Sequence, residues 1–438
     1  MDANKVVNFD IPIDSPKIIK VIGVGGGGGN AVNHMYREGI HDVTFALCNT
    51  DNQALGESPV PTKVQLGKTV TEGLGSGNIP ALGKKAAEES KDDIKILLND
   101  GTKMVFITAG MGGGTGTGAA PVIAQIAKEL DILTVGIVTI PFLFEGEKKI
   151  IQALDGVEQI AKYVDALLVI NNERLREIYA DLTVMNAFAK ADDTLSIAAK
   201  SIAEIITLRG YVNLDFADVQ TILKNGGVAI MSTGYGEDEN RLSKALEDAL
   251  HSPLLNNNDV FNAKKVMLHV SFGAETQLKM SEMDEVHDFM SKFSEEVEVI
   301  WGVAKEQDLN KKVKVTLLAT GFGVEDIPGI EQVQQKRTEE EEDRLLKLEE
   351  EKERNKKRIY KIYGEEALNF GAKNRRRVRN IYLFNPEDLD NNNIIAMVES
   401  TPTFMRTQSE LKKIKNKSAD EEVRIQDEIS QDNEIITF

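Results

Sequence analysis

The feature that most constrains this chain is a glycine-rich stretch, Gly110 to Pro121, with the sequence GMGGGTGTGAAP. It follows an apolar run typical of a buried strand, Met104 to Thr108, and it leads into an apolar segment with helical spacing, Pro121 to Leu130. Six of its first nine residues are glycines, which cost backbone entropy and supply no side chain for packing. Backbone N–H groups that turn tightly around an anion would require such a run between a strand and a helix. Together with the hydroxyls of Thr115 and Thr117, the stretch predicts a phosphate-binding loop.

Composition limits the classes of protein to which the chain can belong. With 438 residues, 41% of them hydrophobic, it is long enough for more than one domain. The single cysteine, Cys48, excludes an internal disulfide framework and agrees with a reducing cytosol. Neither a signal peptide nor an apolar run of the ~20 residues that cross a bilayer is visible, so we expect a cytoplasmic chain without direct membrane insertion. The formal net charge of −18 disfavours nucleic acid as a partner.

A second glycine-rich turn lies near the N-terminus. It follows the strand pattern Lys17 to Val24 and precedes a short helical segment, Ala31 to Glu38. Gly23, Gly25 and Gly28 fit the GxGxxG pattern, and the acidic Asp51 follows the next strand. A NAD(P)-dependent oxidoreductase with a Rossmann-type domain is therefore an alternative interpretation of this part of the chain.

A third glycine-bearing loop, Gly73 to Asn78, argues against the dehydrogenase. Loops at the carboxyl ends of parallel strands converge on one crevice, and three such loops suit a ligand with several phosphates. The Walker A pattern GxxxxGK[ST] is absent from all three. We therefore expect a phosphate site built mainly from backbone amides, with a metal ion to neutralise charge.

Strand and helix patterns alternate along the first half of the chain and predict a parallel α/β sheet. A long helix with apolar residues at helical spacing follows, at roughly 193–208. Strand patterns at 228–232, 265–272 and 313–320, separated by helices, predict a smaller α+β domain. The predicted organisation is an arm at 1–16, a nucleotide-binding α/β domain at 17–192, a central helix at 193–210 and a C-terminal α+β domain at 211–325.

A polar cluster follows the long helix, formed by Asn213, Asp215 and Asp218. The local pattern favours a helix N-cap with a second acidic residue in the first turn. An alternative is that both carboxylates lie on one side of the helix start and act together in chemistry.

Together these motifs resemble the tubulin/FtsZ family of GTPases, from about Lys17 to Gly323. The most specific element is GGGTGTG at 112–118, and the others are 25–30, 49–51, 73–78, 141–146 and 213–219. The resemblance implies a GTP-binding α/β domain, a central helix and a C-terminal α+β domain. It also implies GTP or GDP as the ligand, with Mg²⁺, whose protein ligands the sequence leaves unknown.

The resemblance assigns nucleotide contacts to many of the residues already noted. Phe188 would pack on guanine, Asp193 would read its N–H groups and Glu145 would lie at the ribose. Two positions depart from the family: Lys149 replaces an arginine and loses its bidentate fork, and Asp192 replaces an asparagine. The complete set is Gly25, Gly26, Gly27, Gly28, Gly29, Asn30, Asp51, Gly75, Gly77, Gly112, Gly113, Gly114, Thr115, Gly116, Thr117, Gly118, Glu145, Lys149, Phe188 and Asp193.

The resemblance also changes the interpretation of Asn213, Asp215 and Asp218. In the family these residues form a loop that enters the nucleotide site of the next subunit and positions the attacking water. Hydrolysis would then need a head-to-tail contact, which propagates as a filament. The resemblance therefore implies a self-assembling GTPase whose filaments form the bacterial division ring at mid-cell. A structural filament that binds GTP without turnover is a further alternative.

The C-terminal part of the sequence differs in composition. Residues 326–400 are highly charged, and we expect a linker that is helical or disordered. The segment 401–408, TPTFMRTQ, resembles the family's C-terminal peptide that binds membrane-anchoring and other division proteins. Phe404 and Met405 would be its apolar anchors, and Arg406 would face an acidic rim. No role follows from the sequence for residues 409–438.

Overall fold

A computed structural model describes residues 17–327 and part of the C-terminal region. Within the first range, positions 41, 180, 208–209, 252–259, 295 and 325 are excepted; the C-terminal residues described are 382, 391–402, 405–407, 409–414 and 417. Two compact units divide the chain, residues 1–337 and residues 338–438.

The first unit is built on a sheet whose first half is parallel. Six neighbouring strands pair in parallel in the order β3-β2-β1-β4-β5-β6. Except in the edge strand β3, which has no buried residue, most of their apolar side chains are buried on both faces, as is usual for parallel strands between helices. These strands are β1 (Ile19–Val24), β2 (Val43–Asn49), β3 (Thr62–Gln65), β4 (Met104–Gly110), β5 (Leu133–Ile140) and β6 (Ala166–Asn171).

Helices connect these strands and cover the sheet. The predicted central helix begins earlier than the apolar pattern indicated, at Val184, and is described as far as Thr207. The helices are α1 (Gly25–Glu38), α2 (Asn52–Glu57), α3 (Pro80–Glu89), α4 (Lys91–Leu98), α5 (Thr115–Glu129), α6 (Glu147–Ala161), α7 (Asn172–Ile178) and α8 (Val184–Thr207).

The second half of the sheet contains the predicted C-terminal α+β elements. Strand β11 pairs antiparallel with both β8 and β9, and β10 pairs parallel with β9 and antiparallel with β7. Strand β8 also pairs in parallel with β6, so both halves form one eleven-stranded sheet. The elements are β7 (Gly210–Val212), α9 (Phe216–Leu223), β8 (Gly227–Gly236), α10 (Arg241–Leu250), β9 (Lys265–Phe272), α11 (Met280–Met290), β10 (Glu298–Lys305) and β11 (Val313–Phe322).

The glycine-rich turns correct one step of the sequence argument, because several of these glycines do serve packing. A Cβ atom on Gly118 would lie 2.0 Å from the carbonyl oxygen of Pro80, and one on Gly114 would lie 2.3 Å from Oγ of Ser76. Glycine therefore allows α5 to lie directly against the start of α3. For a similar reason α1 begins inside the glycine run, at Gly25, and not at Ala31 as the helix propensities predicted.

The second unit contains a helix within the range that the sequence assigned to a linker, α12 (Asn392–Glu399). The Asn391 side chain caps it by accepting from the N–H groups of Asn393 and Ile394. Ile394 packs with Tyr382 and with Ile414, which follows in the helical segment 409–414. Among the described residues, no helix is long and apolar enough to cross a membrane.

Candidate functional site

Two glycine-rich turns meet where β1 and β4 end. A Cβ atom on Gly25 would lie 2.9 Å from the backbone nitrogen of Gly116, and one on Gly27 would lie 3.2 Å from Cα of Gly110. The N-termini of α1 and α5 are thereby side by side. The first N–H groups of a helix have no partner within it, and its dipole favours a negative charge there. The pair of helix starts is therefore suited to bind phosphate groups.

Three glycines leave this surface open. A Cβ atom on Gly26, Gly29 or Gly113 would meet no other group within 4 Å. At these positions the absence of a side chain lets a ligand approach the backbone closely. This geometry suits the phosphate binding that the sequence predicts for the two loops.

The third glycine-bearing loop lies beside the first two. The N–H of Gly75 donates to the carbonyl of Thr50 at 3.2 Å, and the Thr115 hydroxyl bonds to those of Thr50 at 2.6 Å and Ser76 at 2.9 Å. These buried hydroxyls connect the loops after β2, β3 and β4. Gly75 and Gly77 both have positive φ values and open space around the Cα atom. The predicted nucleotide residue Asp51 has a structural role here, since its carboxylate caps α2.

The phosphate loop is itself held by side chains. The N–H of Gly112 donates to the Thr117 hydroxyl at 2.9 Å. The Gln152 side-chain amide on α6 donates to the carbonyl oxygens of Gly112 and Gly113, both at 3.0 Å. Sequence reasoning did not identify Gln152, and its only signal was its position one helical turn after Lys149.

Three phenylalanines form an aromatic cluster at the predicted base pocket. The Phe142 and Phe144 rings are stacked with centroids 5.1 Å apart, and the Phe188 ring meets Phe142 edge-on at 5.2 Å. Phe142 is buried, whereas Phe144 is 59% exposed and Phe188 is 41% exposed. The exposed rings offer flat apolar surface on which a base can stack.

Glu145 and Lys149 lie next to this cluster. The Glu145 carboxylate accepts from the N–H of Phe142 at 3.0 Å and from the Lys149 ammonium at 3.2 Å. The neighbouring N–H of Leu143 donates to the Glu173 carboxylate at 3.0 Å. Glu145, which the sequence predicts to lie at the ribose, is therefore in a loop whose first two N–H groups, those of Phe142 and Leu143, are both hydrogen-bonded.

Asp193 lies on α8, where it contacts α1. Its carboxylate is 2.7 Å from Nε2 of His34, which is also 3.5 Å from the Glu38 carboxylate. Lys190 approaches the other Asp193 oxygen at 3.9 Å. Burial raises the pKa of the adjacent Asp192 to about 6, against the opposing effect of His34. The sequence did not reveal His34, which is far from Asp193 along the chain.

The cluster of Asn213, Asp215 and Asp218 lies away from these loops. The Asp215 carboxylate accepts from the N–H groups of Ala217 and Asp218, and the Asp218 carboxylate accepts from the N–H of Asp215. This reciprocal pair is a capping box at the start of α9, which confirms the local helix-cap interpretation. Asn213 and Asp215 are exposed. From Asp193 to Thr207 alone, α8 extends over about 21 Å, so the cluster and the base pocket lie at opposite ends of this helix.

Comparison with protein families identifies three matching models. The model described as Tubulin/FtsZ family, GTPase domain, matches residues 18–180. The FtsZ family C-terminal domain matches residues 227–323, and a model described as FtsZ, C-terminal, matches residues 376–421.

Similar proteins include the cell division protein FtsZ of Porphyromonas gingivalis, which is 48% identical over 94% of this chain and 91% of its own length. The Coxiella burnetii protein of the same name is 45% identical over 72% of this chain and 82% of its own length.

Solved structures agree with these relatives. The FtsZ dimer from M. jannaschii, described as empty, has a TM-score of 0.64 and 40% identity over 69% of this chain and 88% of its own length. The protofilament of CetZ2 from Haloferax volcanii, bound to GTPgS, has a TM-score of 0.62 at 19% identity, over 73% of this chain and 97% of its own, which shows a shared fold.

Proposed function

Because this chain belongs to the FtsZ family of cell-division GTPases, we propose that its GTP is hydrolysed at the contact between two subunits of a head-to-tail filament. Family membership indicates GTP or GDP binding, GTP hydrolysis, self-association and a role in cell division. It gives no support to an oxidoreductase.

The observation that carries the proposal is the separation of two parts of one site. The phosphate loops offer N–H groups, while the carboxylates of the exposed Asp215 and the half-buried Asp218 lie at the far end of α8. Phosphoryl transfer to water needs a group that orients the water, in line with the leaving oxygen. A neighbouring subunit stacked along the direction of α8 would bring its Asp215 to the phosphates, and the same contact would repeat at each end. Assembly would then activate hydrolysis.

Each side chain at the nucleotide has a role consistent with its position. Phe188 and Phe144 would stack on the base, and the Asp193 carboxylate would accept from the N1–H and N2–H groups of guanine. Glu145 would accept from a ribose hydroxyl. Lys149, 3.2 Å from Glu145, would add positive charge near the phosphates.

A Mg²⁺ ion fits this site as a phosphate-bound ion. Within the described residues, no three acidic, histidine or cysteine side chains cluster as a metal site. Mg²⁺ commonly keeps several waters and binds chiefly through substrate phosphates. When bound, it would neutralise charge on the phosphates while the backbone amides of the loops hold them.

The experiment is a mixing test with two inactive variants. Asp215→Asn retains a helix-capping side chain and removes the charge, because asparagine caps about as well as aspartate. Gly113→Val places a side chain in open space before the phosphates, where no protein group lies within 4 Å. We expect Asp215→Asn to bind GTP and assemble without turnover, and Gly113→Val to bind no GTP.

A mixture of the two variants should recover phosphate release at contacts where Gly113→Val supplies Asp215 and Asp215→Asn supplies GTP. Recovery that rises with the fraction of mixed contacts supports catalysis in trans. Loss of GTP binding in Asp215→Asn, or no recovery on mixing, would contradict it.

We further propose that residues 401–408 bind membrane-anchoring and other division proteins, and that the chain acts in the cytoplasm at mid-cell. Met405 is 65% exposed, as an apolar anchor should be. Arg406, in contrast, is buried, and its guanidinium donates to the carbonyls of Val398 and Thr401. It therefore closes the end of α12 and does not face outward as the sequence predicted.

A further inference from the structure

We propose that Gln152 is a positioning residue that aims the N–H groups of Gly113 and Gly114 at the phosphates of the nucleotide. The inference rests on the proposed nucleotide site and goes beyond it, since neither the motifs nor the family match assigns a role to this side chain. Its Nε2 atom donates to two consecutive carbonyl oxygens of the phosphate loop, each at 3.0 Å.

Because the peptide bond is planar, the contact with Gln152 also determines the direction in which the neighbouring N–H groups point. In a trans peptide the N–H of one residue points opposite to the carbonyl of the residue before it. Since Gln152 draws the carbonyls of Gly112 and Gly113 towards α6, the N–H groups of Gly113 and Gly114 point away from α6. Among the described residues, no hydrogen bond uses these two N–H groups. They extend the row of free donors at the start of α5.

The phosphate loop needs the two hydrogen bonds from Gln152 because it consists mostly of glycine. Glycine peptides rotate more freely than others, and a carbonyl turned towards the phosphates would repel them. Gly112 has a φ of +94°, and a Cβ atom there would lie 2.9 Å from the Lys149 carbonyl, so the loop lies against the first turn of α6. Gln152 follows Lys149 by three residues and thus faces the loop from the next turn. Thr117 holds the remaining polar group of Gly112, its N–H.

The surroundings of Gln152 make its substitution informative. The side chain lies at the wall of a cavity of about 260 Å³, which Thr117 and Gly118 also line. Shortening Gln152 enlarges this cavity and removes no tightly packed core side chain. Gln159 lines the same cavity from the same helix and provides a matched control.

The test compares the full-length Gln152→Ala, Gln152→Glu and Gln159→Ala variants with the unmodified chain. Calorimetric titration with GTP, GDP and guanosine separates the phosphate contacts from the base contacts. We expect Gln152→Ala to bind GTP and GDP about tenfold more weakly, which is the scale of one or two hydrogen bonds. Its affinity for guanosine should change by less than about twofold. Gln152→Glu should lose more GTP and GDP affinity than Gln152→Ala, because a carboxylate cannot donate to the two carbonyls. The GTP concentration that gives half-maximal phosphate release should rise about tenfold in Gln152→Ala, in parallel with its loss of GTP affinity.

Two results would overturn the inference. One is unchanged GTP affinity in Gln152→Ala, and the other is an equal loss for guanosine and GTP, which a general distortion would produce. Gln159→Ala should match the unmodified chain in all three titrations. If the unmodified chain bound no GTP, the proposed function itself would fail, so the two failures are distinguishable.

Discussion

His269 gives the molecule a pH dependence that can be attributed to one side chain. It lies in β9 between β10 and β11 and is 5% exposed. Burial lowers the pKa of its imidazole from 6.5 to about 4, and the nearby Lys314 ammonium, held by Glu204 and Glu306, acts in the same direction. The folded protein therefore keeps this histidine neutral in a range where the unfolded chain protonates it. Its contribution to stability is complete above pH 6.5 and is lost as the pH falls towards 4.

The prediction is that acid destabilises the unmodified chain more than the neutral variant His269→Asn. Between pH 7.5 and pH 5.0 the extra loss should be about 2 kcal/mol in the free energy of unfolding, since each pKa unit corresponds to about 1.4 kcal/mol. Urea unfolding without nucleotide at the two pH values measures it. His251→Asn, at an exposed histidine, should keep the full loss. An equal pH effect in all three proteins would refute the assignment.

Single residues also show where sequence reasoning ends. The helix cap at Asp215 and Asp218 was predictable because its partners lie within three residues. The contacts of His34 with Asp193 and of Gln152 with the phosphate loop join residues far apart in sequence. Only the folded backbone brings such pairs together, and a glutamine or histidine on a helix carries no local sign of its partner.

At the scale of elements, the glycines of α1 and α5 have two separable functions, and substitution should separate them. Gly118→Ala would place a Cβ atom 2.0 Å from the Pro80 carbonyl, in a backbone contact that cannot yield easily. We expect a loss of at least about 3 kcal/mol in the free energy of unfolding, or failure to fold. Gly26→Ala lies in an exposed helical turn with open space around it. It should leave the free protein as stable or up to about 1 kcal/mol more stable, because alanine favours helix.

Nucleotide affinity should complete the contrast between the two variants. The added methyl group of Gly26→Ala occupies the surface where a phosphate would approach, so GTP affinity should fall although stability does not. Urea unfolding without nucleotide and GTP titration measure the two quantities separately. A destabilised Gly26→Ala, or a Gly118→Ala variant as stable as the unmodified chain, would contradict this division of roles.

The limits of element prediction have the same physical origin. Strands β1, β4 and β9 were predicted within two residues, because their apolar runs fit a buried strand and little else. Helix starts were placed too late, at Ala31 instead of Gly25 and at Pro121 instead of Thr115. Propensity disfavours glycine in a helix, but the close approach of neighbouring backbones requires it here, and tertiary packing prevails.

At the scale of the whole molecule, the sequence predicted the α/β domain and the α+β domain. It did not predict that the two domains share one continuous sheet. The pairing of β6 with β8 joins the two halves in one sheet. Strand order is a property of distant backbone pairing, which residue patterns do not encode. The continuous sheet and α8 give a rigid path between the nucleotide loops and Asp215. That rigidity favours a fixed repeat distance between successive subunits of a filament.

The division into two units leads to the last prediction, that a chain ending at Arg337 still assembles. Residues 1–337 form one compact unit. This unit contains every residue assigned above to the nucleotide site, together with Gln152 and the cluster of Asn213, Asp215 and Asp218. GTP should therefore cause light scattering and phosphate release within about twofold of the full chain, whereas GDP and ATP should not, because hydrolysis needs only groups within that unit. Deleting 401–408 from the full chain should likewise spare GTPase activity while abolishing binding of the anchor protein. A truncated chain that binds GTP yet fails to scatter light would place part of the assembly contact beyond residue 337. Failure to bind GTP at all would instead show that this unit does not fold independently.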